Sequence, residues 1–369
     1  MNQLMGRAAL GAILLSVALG TTACGISPVP HSTPVAPVSD TDAPETPEPA
    51  LASGEQPEPA ADVTCNDLTN PAQLDPIFAV AVNLAPPTRT VEYVGSFIAE
   101  PWVVRQAGGV ACQWSDPDGI STSEGRYLAG MDLTLLPASG PQWQEFSDTQ
   151  GDGSDRRFVC SEYGDCQFDL YTATGWWLSL DAFNIDALAS PTEASLRTLT
   201  QPVFTAIAAT VAALPAPDPG WTAPTPDLTF GGGCTGVITG ARLASALGAS
   251  GSLDVETYGS PALDLVGGSD CRWTSASDFS LAVYITVLPG GAWAQDAAKA
   301  AMVANGAPVP TPAVTGVPAG ATALYYHVDA TALDVVLGGT WIKIAIGNGP
   351  SSPEAALAAI GADIAAHAH

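Results

Sequence analysis

The apolar positions follow two periods along the chain. In the C-terminal third, "LAVYITVL" (281–288) is a run of β-branched and apolar residues, the habit of a buried strand. "TALYYHV" (322–328), "ALDVVL" (332–337) and "TWIKIAI" (340–346) follow the same habit, with short turns between them. They predict three strands of an antiparallel meander. Helical spacing marks three other stretches. "TGARLASALG" (239–248) has Thr239 to cap its start and Gly248 just past its end. "GAWAQDAAKAAMVANG" (291–306) places Trp293, Ala297, Ala301 and Met302 on one side. "SSPEAALAAIGADIAAHA" (351–368) has Ser352 as its cap, Pro353 at its first position and an apolar stripe of Leu357, Ile360 and Ile364.

The same pattern occurs earlier in the chain. "GGVACQW" (108–114) returns as "GGSDCRW" (267–273). "LLPASGPQW" (135–143) matches "VLPGGAW" (287–293), pairing Trp143 with Trp293. "TGWWLSL" (174–180) matches "GGTWIKI" (338–344), pairing Trp177 with Trp341. "SPTEASLRTL" (190–199) matches "SPEAALAAI" (352–360), with Ser190 and Glu193 forming a capping-box pattern around Pro191. Cys65 opens the first copy and Cys234 the second. Matches that keep one order imply a tandem duplication of a globular domain, since a solenoid needs more and shorter repeats. The expected fold is α+β: two similar domains, each an antiparallel sheet with helices packed against it. The first spans 61–213 and the second 231–369, with "LPAPDPGWTAPTPDLTF" (214–230) as the linker.

In each Cys-x-Trp the two side chains point to one face of a strand. Trp114 and Trp273 are expected in the cores, the glycines in a tight turn entering the strand. The repeat pairs Cys65 with Cys112 and Cys234 with Cys271, and leaves Cys160 to pair with Cys166. The seventh cysteine of the chain is Cys24.

Residues 1–23 read as a signal peptide. Arg7 is followed by the apolar "AALGAILLSVALG" (8–20), shorter than the about 20 residues of a membrane-spanning helix. "TTAC" then ends at Cys24, the expected lipidation site, although Thr21 stands where leucine is usual. The alternative is an ordinary secretory signal cleaved after Ala23. Residues 24–60 combine the lipidated Cys24 with a proline-rich stretch lacking aromatic residues, expected to be a disordered tether. The expected location is the extracytoplasmic face of the cell membrane, or the exterior if the protein is secreted.

Charge narrows the partners. Against 37 Asp and Glu stand 11 Lys and Arg, a net charge of −26. Nucleic acid and anionic headgroups are repelled by such a chain. The membrane is therefore expected to be met through the lipid anchor alone, and the partner to be an envelope protein or a small ligand.

Little in the chain signals catalysis. The histidines are His31, His327, His367 and His369, of which only His327 lies in an expected strand. No Gly-x-Ser-x-Gly elbow and no phosphate loop occurs. The expectation is a protein that is not an enzyme, with no cofactor and no metal site. One stretch of the first copy has no counterpart in the second. "SDTQGDGSDRRFVCSEYGDC" (147–166) crowds Asp148, Asp152 and Asp155. It reads as a solvated acidic loop or, alternatively, as a calcium loop, though without EF-hand spacing. Trp176 also lacks a counterpart, Thr340 standing in its place. It lies on the strand face opposite Trp177. That makes it a candidate for stacking on a ligand, the alternative being burial under a helix or the other domain. Trp176, Asp148, Asp152 and Asp155 are the candidate binding residues.

The arrangement resembles a large group of actinobacterial lipoproteins of unknown function. Cys24, Cys65, Cys112-Gln113-Trp114, Cys234 and Cys271-Arg272-Trp273 carry the resemblance. It is similar, more distantly, to extracellular sensor domains of actinobacterial receptor kinases and to PsbP-like α+β domains. The resemblance implies no catalytic residues. It implies a membrane-anchored, non-enzymatic binding or sensor-type module, or alternatively a structural or accessory envelope protein that scaffolds a partner.

Overall fold

In the computed structural model, the residues described are 56–78, 80–84, 100–116, 129–138, 140–150, 156–161, 164–185, 191–218, 230, 233–258, 261–275, 281–304, 330–347 and 353–367. The expected signal peptide, Cys24, the expected tether up to residue 55 and the expected strand at 322–328 lie outside them.

The first half runs α1 (Cys65–Leu68), α2 (Pro71–Leu74), β1 (Asn83–Leu84), α3 (Glu100–Gln106), β2 (Val110–Ser115) and β3 (Gly130–Pro137). It continues with α4 (Gly140–Gln150), β4 (Arg156–Cys160), β5 (Cys166–Tyr171), β6 (Trp176–Phe183) and α5 (Glu193–Ala212). The second half runs α6 (Cys234–Val237), α7 (Gly240–Leu247), β7 (Leu253–Tyr258), α8 (Pro261–Leu265), β8 (Ser269–Ser275) and β9 (Ala282–Leu288). It ends with α9 (Ala292–Ala304), β10 (Ala330–Leu337), β11 (Thr340–Gly347) and α10 (Glu354–His367). The sheets are ordered β1-β2-β3-β6-β5-β4 and β7-β8-β9-β11-β10, and all pairings are antiparallel. The fold is α+β with two sheet-based bodies. Apart from β4, the described strands of the two sheets correspond in order.

Register makes the correspondence residue by residue. Cys112 pairs with Leu133, which pairs with Leu180, which pairs with Phe168. Cys271, Ile285, Ile344 and Leu333 form the same row in the second sheet. All eight side chains are buried on the inner faces. Leu196, Phe204, Ile207 and Val211 of α5 cover the first inner face. Leu243 of α7 and Leu357, Ile360 and Ile364 of α10 cover the second. Trp114 and Trp273 are fully buried in these two cores.

The Gly-Gly turns serve one purpose in both halves. Gly108 and Gly267 adopt φ of 74° and 67°, where a side chain would be strained. Gly109 and Gly268 lie so close to the carbonyls of Leu135 and Val287, one strand away, that a Cβ would collide with them. The following strand can therefore pair without a bulge.

Three disulfides are present, joining the expected partners. Cys65–Cys112 and Cys234–Cys271 have Cα separations of 5.7 and 5.6 Å, and Cys160–Cys166 has 4.1 Å across the β4–β5 hairpin. Chain entropy assigns about 4 kcal/mol to each long bridge and about 2 kcal/mol to the short one.

Some expected boundaries move. Ala60 is buried in the first core, its N–H donating to the Gly108 carbonyl at 2.9 Å, so packing starts within the expected tether. The N–H of Asp218 donates to the carbonyl of Ala60 at 3.0 Å, so the first residues of the expected linker pack on the first half. α5 begins two residues later than expected: its cap is Thr192 rather than Ser190, and the Thr192 hydroxyl accepts from the Ser195 N–H at 3.2 Å. Pro191 precedes that cap and cannot donate, and Ser190 and Ser352 lie outside the described residues.

A third apolar cluster joins the halves. Trp102, Val103, Val104, Leu136, Trp143 and Trp177 contribute from the first half. The second half adds Ala262, Leu263, Leu288, Trp293, Ala294 and Trp341. Trp102 meets Trp293 edge-on at 6.2 Å. Gln106 is buried among them: its Nε2 donates to the Pro289 carbonyl at 3.1 Å, and its Oε1 accepts from the indole of Trp293.

Candidate functional site

The outer face of each sheet carries the residues that alternate with the core set. In the first sheet these are Gln113, Asp132, Thr134, Gln167, Ser179 and Asp181. They line a cavity of about 340 Å³, which is large enough for a small organic molecule. Arg105 and Pro101 of α3 form one wall. Arg105 reaches this wall by stacking on Trp102, with its guanidinium 5.0 Å from the ring. Burial lowers the Arg105 pKa from its ordinary value.

Asp132 and Asp181 face each other across the β3–β6 ladder. Carboxylates so placed repel. The Asp181 carboxylate is open to solvent on the cavity side. The surrounding walls still strip much of its water, and Asp165 and Asp169 add negative charge, so it is pushed up to about 6. Asp169 is buried one ladder step away. Burial raises its pKa, and Ser179, Arg157 and Trp177 oppose that rise. Arg157 bridges Asp169 at 3.3 Å and donates to Gln167 Oε1 at 2.8 Å.

The corresponding face of the second half is built differently. Arg272 and Tyr284 stand at the positions of Gln113 and Asp132, with the guanidinium 5.7 Å from the ring. Arg272 also pairs with Glu256 at 3.6 Å. Ala345 replaces Asp181, and Lys343 replaces Ser179. Large side chains in mutual contact thus stand where the first half has short polar ones around a cavity.

One feature is common to both faces. Asp169 and Asp334 occupy the same register position, and both are buried. The indole of Trp341 donates to Asp334 Oδ1 at 3.1 Å. The cation comes from a different strand in each half. Arg157 of β4 lies opposite Asp169, whereas Lys343 of β11 lies opposite Asp334. Sequence reasoning missed this pair. "FDL" (168–170) and "LDV" (333–335) precede the matched tryptophans at nearly equal distances, which is the signal that finds it.

Of the candidate binding residues, Trp176 and Asp148 are among those described. Trp176 was a candidate for stacking on a ligand, with burial as the alternative, and it is fully buried in the first core. Its indole donates to the Pro215 carbonyl at 2.7 Å. The period-two alternation holds, but both faces of β6 are covered at this end: Trp177 packs against Trp143 and Phe146 of α4. Asp148 is exposed near the end of α4, and its Oδ1 accepts from Gln144 at 2.7 Å. Asp152, Asp155, His31, His327 and His369 lie outside the described residues. His367 is at the last position of α10. Among the described residues, no group of three or more His, Cys, Asp or Glu is placed to hold a metal. Cys160–Cys166 is next to Asp181, because Cys166 pairs with Ala182, whereas Trp176 begins the same strand about 20 Å away.

Buried carboxyls give the chain a defined pH response. Asp270 is 5% exposed and is pushed up to about 6 by burial, partly offset by the Thr286 hydroxyl at 3.1 Å and the Cys271 N–H. Its folded value lies above that of an unfolded aspartate, so the native chain takes up the proton first. Its destabilising effect at neutral pH is relieved as pH falls through about 6 toward about 4. Asp181 and Asp169 act in the same direction, while the lowered pKa of Asp67, bonded to Thr64, acts oppositely. The urea midpoint is expected to be higher at about pH 5 than at about pH 7. Asp270→Asn should flatten part of that rise; an unchanged slope would remove Asp270 from the account.

No protein-family model, no curated protein and no solved structure matches this chain.

Proposed function

We propose that the chain is an extracytoplasmic lipoprotein, anchored to the membrane through Cys24, that acts as a non-enzymatic binding module of sensor type. In this reading its two halves descend from one duplicated domain, and the first half has kept or acquired the ligand site. One observation carries the proposal: the cavity on the outer face of the first sheet occupies positions that Arg272 and Tyr284 fill in the second. Two related faces with one open and one filled fit a site specialised in one half.

The lining indicates the chemistry of the ligand. Asp132 and Asp181 are acceptors, Gln113, Gln167, Thr134 and Ser179 can accept or donate, and Arg105 is a donor. A ligand rich in N–H or O–H groups satisfies such a surface, and a positive charge on it would be drawn by the −26 field of the whole chain. Apolar surface joining the halves is already buried between them. That favours a small ligand over the alternative of an envelope scaffold.

The test copies the second half into the first: Gln113→Arg with Asp132→Tyr. Glucosamine and putrescine are titrated into the full lipoprotein, with glucose as the uncharged control. At least one amine is expected to raise the melting temperature at millimolar concentration. The effect should be lost in the double variant and should weaken as pH falls through about 6, where Asp181 takes up its proton. No shift with any of the three, or an equal shift in the double variant, would remove the cavity as the binding site.

A further inference from the structure

The contact between the halves has a property separate from the binding reading. Trp143 corresponds to Trp293, Trp177 to Trp341 and Leu136 to Leu288, and all six are in the one cluster. Val103 and Val104 correspond to Ala262 and Leu263 by their distance from the Gly-Gly turns, and they too are in it. α3 and α8, each leading into its Gly-Gly turn, pack on one another. α3 also packs on α9. Like elements meeting face to face is the isologous arrangement of a two-fold dimer; a head-to-tail contact would join unlike surfaces.

We propose that the surface joining the halves is a dimerisation surface made for a copy of itself. It holds the halves together without need of the covalent connection, and it can pair halves that belong to two copies of this chain. Its apolar character is that of an obligate interface, a core divided between two bodies. The symmetry breaks at one place that sets a preference. Gln106 clasps Trp293 and Pro289, whereas its counterpart is Leu265. A pair made of two second halves would present Leu265 to Trp293 and lose the acceptor for its buried N–H. Pairing therefore requires at least one first half.

The experiment places a protease site in the 219–229 connection of the full chain and cuts it after folding. The cut halves are expected to co-elute at about 1 µM. Mixed with cut halves that carry a fluorescent label, they are expected to form mixed pairs. Gln106→Leu leaves the Trp293 N–H and the Pro289 carbonyl without the amide. It is expected to weaken pairing at least about tenfold. Halves that separate at that concentration, an absence of mixed pairs, or Gln106→Leu halves that pair as tightly as the wild type would each overturn the proposal.

Discussion

Asp334→Leu is expected to lower the stability of the chain by about 3–5 kcal/mol, the range for leaving a buried charge without the one that opposes its burial. Lys343 is 4% exposed on the strand directly across from Asp334. Burial pushes the Lys343 pKa down, and Asp334 is the charge that opposes this. The leucine also removes the acceptor for the Trp341 indole. Lys343 then has to give up its proton to remain buried, while in the unfolded chain it keeps it. The deficit should therefore shrink as pH rises toward the usual lysine value, because the unfolded chain then holds its proton less firmly. Adding Lys343→Met removes the isolated charge and should restore most of the loss, since a buried pair is often replaced by apolar groups at little cost. Urea unfolding of the single and double variants checks this. A double variant no more stable than the single would show that Lys343 is not charged by way of Asp334.

Much of this fold was legible in the sequence, and the reasons are local. Thr239 and Gly248 bound α7 as expected, Thr239 accepting from the Arg242 N–H and Gly248 taking the left-handed conformation. The repeated Gly-Gly-x-x-Cys-x-Trp marked two equivalent strands and two equivalent disulfides, because backbone approach, bridge and core ring all depend on nearby residues. The outer faces were harder to read. "GMDLTLLP" (130–137), "CQFDLY" (166–171) and "WWLSLDAF" (176–183) each alternate polar with buried positions. That stripe was visible. What the alternation does not contain is the order of the strands in space, and only the crossover that places β6 beside β3 brings Asp181 opposite Asp132. The acidic run at 148–155 drew attention because its charges are adjacent in sequence, whereas the carboxylates of the cavity come from separate strands.

α3 shows how site and interface share one element. Pro101 and Arg105 face the cavity, while Trp102 and Gln106 face the second half. Arg105 rests on the ring of Trp102, which in turn meets Trp293. A short helix fixed on one side by the second half therefore supplies a wall of the cavity on the other. The half whose outer face carries Arg272 and Tyr284 thus holds α3 in place.

Trp176→Ala is expected to cost about 3–5 kcal/mol, the range for deleting a large ring from a packed core. The ring is fully buried among the residues that line the first core, and its N–H reaches the Pro215 carbonyl just beyond α5. Alanine leaves a void that the surrounding strands cannot close, because β6 is paired on both sides, with β3 and with β5. It also frees the 214–218 segment from the sheet. Trp176→Phe keeps most of the apolar volume and gives up the hydrogen bond, so it should cost about 1–3 kcal/mol. Urea midpoints followed by far-ultraviolet circular dichroism separate the two substitutions. A role in ligand stacking makes the opposite forecast, that Trp176→Ala keeps its midpoint and loses only binding. An alanine variant as stable as the wild type would therefore return Trp176 to the surface and undo the packing of α5 against this end of the sheet.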